Sequence, residues 1–224
     1  MKVFLQASEL TKRVGDKTLF HGINIGIGEG QRVGLIAQNG TGKTTLLNIL
    51  AGVDEPDEGE VILRSGIKIG YLSQTPKFPA EMTVMDACFW HACQDRNDTE
   101  EALDLEVRSK QILGKLKIGD TSRKMNVLSG GQAKRVALAN VLLQNPDLLI
   151  LDDLGSELTT QFTQTALYEL INTRLVAGRH TVISSNLSMA EVAQRYSPQI
   201  ASRLSGEYHN LKFYGTDIRV LKKM

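Results

Sequence analysis

Short apolar and amphipathic segments alternate along the chain, separated by polar, glycine-containing turns. Short runs rich in Val, Ile and Leu indicate buried or half-buried strands. Segments with apolar residues three or four positions apart predict helices that bury one face. Because such strands and helices follow one another in turn, we expect an α/β fold with a mainly parallel sheet covered by helices on both faces.

The elements can be placed from this pattern. The predicted strands are Val3–Leu5, Thr18–Phe20, Ile23–Ile27, Gln31–Ile36, Val61–Leu63, Ile67–Leu72, Leu148–Leu151, Thr181–Ser184 and Leu211–Tyr214. The predicted helices are Lys43–Leu50, Thr83 to about Ala92, Leu103–Leu116, Gly131–Leu143, Thr159–Leu175 and Ser188–Tyr196. The first strands predict a small antiparallel N-terminal β subdomain, and the helices between residues 83 and 116 form a helical insertion. We expect residues 1–224 to fold as a single domain.

Net charge, apolar run length and cysteine spacing argue against membrane-spanning, secreted and zinc-binding proteins. The chain has 224 residues with a net charge of +1, which gives no overall attraction to nucleic acid or membranes. No apolar run approaches the ~18 residues that span a bilayer, and the first residues lack a signal-peptide pattern. We therefore expect a cytoplasmic protein without a membrane partner. Cys88 and Cys93 flank His91, but no fourth ligand of suitable spacing lies nearby, so buried reduced thiols are favoured over a metal site.

A glycine-rich segment, Ala37-Gln-Asn-Gly-Thr-Gly-Lys-Thr-Thr45, follows one predicted strand and opens a helix. Glycines let backbone N–H groups turn inward onto phosphates, and the helix N-terminus adds positive potential. Lys43 would reach the β- and γ-phosphates, and Thr44 would offer its hydroxyl to Mg²⁺. The loop residues predicted to hold ATP are Asn39, Gly40, Thr41, Gly42, Lys43, Thr44 and Thr45. The alternative is a chance glycine-rich turn.

Segments of the first 151 residues resemble the ATP-binding-cassette (ABC) ATPases, most closely the first cassette of the ABC-F group, which acts on ribosomes. They are EGQRVGLIAQNGTGKTTLLNILAG, IGYLSQ and LSGGQAKRVALANVLL. By this resemblance Leu128-Ser-Gly-Gly-Gln132 is the cassette signature. The N–H groups of Ser129 and Gly131 would meet the γ-phosphate held by a second subunit, which implies a homodimer. The alternative is an ordinary helix N-cap. Val14 replaces the family's adenine-stacking aromatic.

The end of the chain resembles a different family. Residues 148–224 contain LLILDDLGSE, ALYELINTRL, TVISSNLS and IASRL, which are similar to AAA+ ATPases related to replicative-helicase loaders. That resemblance makes Asp152 and Asp153 a Walker B pair, Asn186 a polar sensor and Arg219 a second sensor. The chain then reads as a recombined or engineered chimera of residues 1–151 and 152–224. A divergent natural ATPase is the alternative.

These residues suggest a mechanism. Thr44 and Asp152 would hold Mg²⁺, while Asp153 would orient the attacking water with help from Gln74 and Asn186. Asp153 could instead be a structural acid that caps the following turn, and the two amides could be ordinary loop residues. The cassette's switch histidine is missing after the predicted strand Thr181–Ser184.

We therefore predict an ATP- and Mg²⁺-binding protein with slow or absent hydrolysis. Two alternatives stay open at this stage. One is an ABC-F-like ATPase associated with translation, and the other is a helicase-loader-like ATPase of DNA replication. A ribosome is not favoured as partner because only about 94–101 stands where the ABC-F group inserts a long helical arm. A helicase is not favoured because no helicase-binding region is evident.

Overall fold

The computed structural model describes residues 3–90, 99–155 and 161–213. Its strands are β1 Val3–Val14, β2 Lys17–Gly28, β3 Arg32–Ile36, β4 Glu58–Leu63, β5 Ile69–Leu72, β6 Leu148–Leu154, β7 His180–Ser185 and β8 His209–Lys212. Its helices are α1 Lys43–Leu50, α2 Val84–Phe89, α3 Thr99–Lys115, α4 Gly130–Leu143, α5 Gln161–Val176, α6 Met189–Arg195 and α7 Pro198–Glu207. No helix in these ranges is long and apolar enough to cross a membrane.

Five strands form a parallel sheet in the order β5-β6-β7-β3-β8. β7 lies between β3 and β6, the strands that precede the glycine-rich segment and contain the two aspartates. Parallel neighbours bring their carboxyl ends to one edge, so the segments that follow β3, β5, β6 and β7 meet there. The glycine-rich segment follows β3, Gln74 follows β5, and Asp152 and Asp153 lie near the end of β6. The sheet therefore gathers the predicted site residues of both parts of the chain.

The buried strand β6 shows how the sheet is covered. Leu148 and Ile150 pack on one face, in a cluster with residues of α1 and of the N-terminal strands. Leu149 and Leu151 pack on the other face, in a cluster with residues of α4, α5, α6 and α7. All seven residues of β6 are buried, as expected for a central parallel strand.

Strands β1, β2 and β4 form a separate antiparallel sheet, which confirms the predicted N-terminal β subdomain. The predicted lengths were wrong, because β1 and β2 each extend over 12 residues. Much of this sheet faces solvent, so polar side chains interrupt the apolar runs without ending the strands. Register shifts break the β1–β2 pairing at several points, for example between Ala7 and Leu10, and such breaks hide the alternation further.

Helix positions follow the sequence signals more closely. α1 occupies the predicted residues Lys43–Leu50, and a capping box at Ser188 begins α6 as expected. α3 begins at Thr99, four positions before the predicted Leu103, within a polar stretch of the sequence. α7 was not predicted, although Ser197 caps it and Pro198 occupies its first position, a combination typical of helix starts. The last strand lies at His209–Lys212 rather than at Leu211–Tyr214, and Arg219 lies outside the described residues.

Candidate functional site

The glycine-rich segment forms a compact turn between β3 and α1. Gly40 and Gly42 have φ values of 81° and 97°, in the left-handed region that favours glycine. A Cβ atom on Gly42 would also lie 2.7 Å from Cγ of Leu19. Ala37, which replaces the first glycine of the usual pattern, is not among the residues with positive φ, so alanine fits that position without strain.

Lys43 lies inside this turn, with only 6% of its surface exposed. Its Nζ donates hydrogen bonds to the carbonyl oxygens of Ala37 at 2.6 Å and of Gln38 at 2.8 Å. Thr41 Oγ1 donates to the same Gln38 oxygen at 2.9 Å. These bonds hold the ammonium group at the phosphate-binding turn. A phosphate oxygen would be a stronger acceptor than either carbonyl because it is charged.

Asp152 fits a divalent cation. The residue is 3% exposed, and its Oδ1 accepts a hydrogen bond from Ser184 Oγ at 2.8 Å. Its Oδ2 is buried and has no hydrogen-bond partner among the described residues. A buried carboxylate oxygen without a donor is costly unless a cation or water satisfies it. Thr44 lines the cavity above α1, so these two oxygen donors match the preference of Mg²⁺.

Asp153 has an unusual backbone conformation, with φ at 60°. Its N–H donates to Ser184 Oγ at 2.8 Å, and its Oδ2 accepts a hydrogen bond from Gln74 Nε2. The Gln74 bond joins the segment after β5 to the end of β6. A non-glycine residue in the left-handed region is held there by its surroundings and is typical of functional sites. Two of the three predicted catalytic residues are therefore in direct contact.

Ser184 is a site residue that the sequence reasoning missed. It is fully buried, and its hydroxyl accepts from the Asp153 backbone while donating to the Asp152 carboxylate. Its neighbour Ser185 accepts a bond from Ala37 N through its carbonyl, which ties β7 to the phosphate loop. The available signal was a pair of serines ending an otherwise apolar strand.

An open cavity of about 280 Å³ lies over these groups. The residues that line it are Val14, Leu19, Asn39, Gly40, Gly42, Lys43, Thr44, Thr45, Gln74 and Asp153. Most predicted ATP-binding residues thus meet in one place, with Thr41 buried below them. Asn186 is exposed directly after β7 and is not among the lining residues.

The predicted signature begins α4 on an exposed surface. Ser129 caps the helix through a capping box, in which its side chain accepts from Gln132 N and its N–H donates to Gln132 Oε1 at 2.9 Å. The prediction that the Ser129 N–H meets a phosphate conflicts with this bond. Gly131 lies in the first helical turn, where N–H groups have no intrahelical acceptor. A Cβ on Gly131 would meet no atom of the described residues within 4 Å, so packing against them does not require glycine there.

Burial shifts the pKa values of Tyr71 and Cys88. Burial, followed by the charge of Asp152, raises the pKa of Tyr71, whose hydroxyl donates to Asn48 Oδ1 at 2.7 Å. Burial also raises the pKa of the Cys88 thiol to about 12, which agrees with the predicted buried thiol. Cys93 and His91 lie outside the described residues, and among the described ones no three His, Cys, Asp or Glu side chains are grouped so as to hold a metal ion.

Comparison with known proteins agrees with this geometry. A sequence profile described as ABC transporter matches residues 20–155. The chain is 36% identical over 181 residues to the uncharacterized ABC transporter ATP-binding protein YfmR of Bacillus subtilis, covering 66% of this chain and 29% of that protein. It is 31% identical over 164 residues to the energy-dependent translational throttle protein EttA of Haemophilus influenzae, covering 58% and 30%. The chain thus spans about a third of the length of these relatives.

The fold is also that of solved cassettes. The dimeric structure of MJ0796, a bacterial ABC transporter cassette, superposes with a TM-score of 0.72 at 24% identity, covering 86% of this chain and 91% of that one. The chain has the P-loop NTPase fold of these cassettes, with a parallel sheet, flanking helices and a small antiparallel N-terminal sheet. The chain belongs to the ABC transporter family and contains its ATP-binding cassette.

Proposed function

We propose that this protein binds Mg-ATP in the cavity above α1 and hydrolyses it slowly or not at all. The observation that carries the proposal is that the phosphate loop, Gln74 and Asp153 line one cavity, and that the preceding Asp152 has a buried carboxylate oxygen without a hydrogen-bond partner among the described residues. Thr44 and Asp152 would hold Mg²⁺, which neutralises charge on the phosphates when bound. Lys43 would exchange its two carbonyl acceptors for phosphate oxygens.

The groups around Asp153 would orient the attacking water. Gln74 and Ser184 fix the side chain and backbone of Asp153, so its carboxylate is held in one place. Asn186, which follows β7, would approach from the adjacent strand. Slow turnover is expected because a carboxylate one methylene shorter than the cassette glutamate stands here, without the switch histidine.

We also propose a homodimer in which the signature of one copy completes the site of the other. Two observations support this proposal. Ser129 and Gly131 are exposed, and no described atom lies close enough to Gly131 to require glycine at that position, so a second copy could be what requires it. The dimeric structure of the MJ0796 cassette shows that this fold can pair. Since the Ser129 N–H is used in the capping box, the contact would come from the Gly131 N–H and the Ser129 hydroxyl.

A substitution at Val14, which lines the cavity at the turn between β1 and β2, tests ATP binding directly. Val14 is 44% exposed at the end of β1 and offers no aromatic face to a base. We expect Val14→Tyr to tighten ATP binding about fivefold or more, since stacking on a base contributes roughly 1–3 kcal/mol. Calorimetric titration of ATP with Mg²⁺ into both proteins measures the change.

Val3→Tyr is the matched control, because Val3 lies on the same strand, is 46% exposed and is not among the cavity-lining residues. Its affinity for ATP should equal that of the wild type. If the wild type fails to bind ATP, the proposed function is wrong. If the wild type binds and Val14→Tyr does not improve it, the nucleotide base does not lie against this hairpin.

A second candidate function is suggested by the relatives. EttA is named a translational throttle protein, so this chain could be part of a translation-associated ATPase. We expect the Asp153→Asn variant, which should retain ATP without turnover, to sediment with ribosomes in ATP but not in ADP if this candidate is correct. The variant with Lys43→Ala added is the control. Absence from the ribosomal fraction in both nucleotides would remove this candidate.

The AAA+-like character of residues 152–224, and the chimera it implies, remain proposals based on sequence. They rest only on the segments that begin with Asp152-Asp153. The structure of the last segment, including Arg219, lies beyond the described residues. The interleaved order β6-β7-β3-β8 favours a single folding domain for both parts. Helicase partnership and a cytoplasmic location also remain predictions.

A further inference from the structure

A side-chain hydrogen bond joins β5, which leads to Gln74, to α1, which contains Thr44. Tyr71 lies on β5, three positions before Gln74, and its hydroxyl donates to Asn48 Oδ1 at 2.7 Å. Asn48 lies on α1, four positions after Thr44. Residues four apart on a helix share one face and are separated by about 6 Å along its axis. The bond therefore connects the helix that presents Thr44 with the strand that leads to Gln74.

The same tyrosine lies close to the second candidate metal ligand. Tyr71 pairs with Ile150 across the sheet, and Asp152 follows two positions later on β6. The carboxylate of Asp152 acts electrostatically on Tyr71. Tyr71 packs at the edge of the cluster that contains Leu46, Leu47 and Ile150, which places it on the α1 side of the sheet. Tyr71 thus connects three elements, since its hydroxyl bonds to α1 while its own strand β5 pairs with β6.

We propose that Tyr71 is a positioning residue, whose hydrogen bond to Asn48 fixes α1 against β5 and so sets the spacing between the candidate Mg²⁺ ligands Thr44 and Asp152. This inference rests on the proposed Mg-ATP site. Without the bond, α1 and the phosphate loop that precedes it would keep their helix and glycine geometry. Apolar packing against Leu148 and Ile150 would still keep α1 on the sheet. The hydrogen bond would no longer fix the exact distance between Thr44 and Asp152. The loss should therefore appear in metal-dependent binding and leave metal-independent phosphate binding nearly unchanged.

The test compares ATP affinity with Mg²⁺ and with EDTA, by calorimetry on the full chain. We expect Tyr71→Phe to weaken ATP binding about tenfold in Mg²⁺ and less than about twofold in EDTA, since groups that orient metal ligands typically change metal affinity by this order. Asn48→Ala breaks the same bond from the helix side and should give the same pattern. The double variant should be no weaker than either single variant, because both remove one interaction.

Tyr208→Phe is the matched control. Tyr208 is 5% exposed and directly precedes β8, whose first residue pairs with Val33 near the amino end of β3, away from the cavity. Tyr208→Phe also removes a buried hydroxyl, but it should leave the ratio of ATP affinity in Mg²⁺ to ATP affinity in EDTA unchanged.

Equal weakening of Tyr71→Phe in Mg²⁺ and EDTA, or no weakening at all, would overturn the inference, as would additive losses in the double variant. If Tyr71→Phe does not fold, Asn48→Ala decides the question alone. A wild type that binds ATP identically in Mg²⁺ and EDTA refutes the Mg²⁺ site itself. A wild type that binds no ATP refutes the proposed function. Both results differ from the results that would refute the positioning role of the Tyr71–Asn48 hydrogen bond.

Discussion

Replacing Lys43 with alanine should reduce ATP affinity by about 100-fold or more, because hydrogen bonds to charged groups contribute roughly 1.5–3 kcal/mol each and Lys43 would make two. In the protein without nucleotide, the ammonium group already bonds to the carbonyls of Ala37 and Gln38. The substitution therefore removes both the charge that meets phosphate and the internal support of the turn. Calorimetric titration of ATP with Mg²⁺ into the variant measures the loss.

Lys68→Ala is the control for this experiment. Lys68 is exposed just before β5, at the amino edge of the same sheet, and its removal changes the net charge by the same amount. It should bind ATP as tightly as the wild type does. The free energy of unfolding of each variant, measured without nucleotide, separates a local loss at the turn from general destabilisation. Unchanged affinity in a folded Lys43→Ala protein would show that the nucleotide binds somewhere other than this loop.

The part of the site that could be predicted from sequence is the part built by local rules. Gly40 and Gly42 need a left-handed backbone, a lysine follows them, and a helix begins at once, so the turn is encoded within a few residues. The end of β6 could be predicted for a similar reason, since an apolar run followed by two aspartates indicates a buried strand that ends at a polar site. Helix caps such as Ser188 are local as well.

What sequence reasoning missed depends on contacts between distant elements. Ser184 matters only because β7 lies beside β6, which brings its hydroxyl to both carboxylate residues. The bond from Tyr71 to Asn48 similarly requires β5 to lie under α1. The long strands β1 and β2 were underestimated because their solvent-facing polar residues resemble loop residues. None of these features has a pattern that a single segment reveals.

Asp153→Asn should lower ATP turnover by about 10²- to 10⁴-fold, the usual contribution of a positioned acid or base, while ATP affinity changes little. Asparagine is the appropriate replacement because it keeps the shape of aspartate and, like aspartate, tolerates the φ of 60° found here. Asp153→Glu lacks that tolerance. Although glutamate would reach further toward a water, we expect this substitution to lower the free energy of unfolding by about 1 kcal/mol.

Ser129→Arg tests whether this turnover also needs a second copy of the chain. Ser129 is exposed, so arginine fits within one protomer, but its bulk would block a phosphate of the partner from the start of α4. Ser129→Ala is the matched control, because it loses the same helix cap, at a cost of about 1 kcal/mol, without adding bulk. We expect Ser129→Arg to abolish turnover and Ser129→Ala to retain most of it.

Phosphate release by these proteins, followed under single-turnover conditions because the wild type should be slow, discriminates the arrangements. Loss in both Asp153→Asn and Ser129→Arg supports a cassette-type dimer with Asp153 orienting the water. Loss in Asp153→Asn alone favours an AAA+-like arrangement in which the signature is only a helix cap. Fast wild-type hydrolysis that survives Asp153→Asn contradicts the mechanism, since no other carboxylate among the described residues lines the cavity. In the proposed mechanism, the hydrogen bond from Gln74 would hold the Asp153 carboxylate in place for the attacking water.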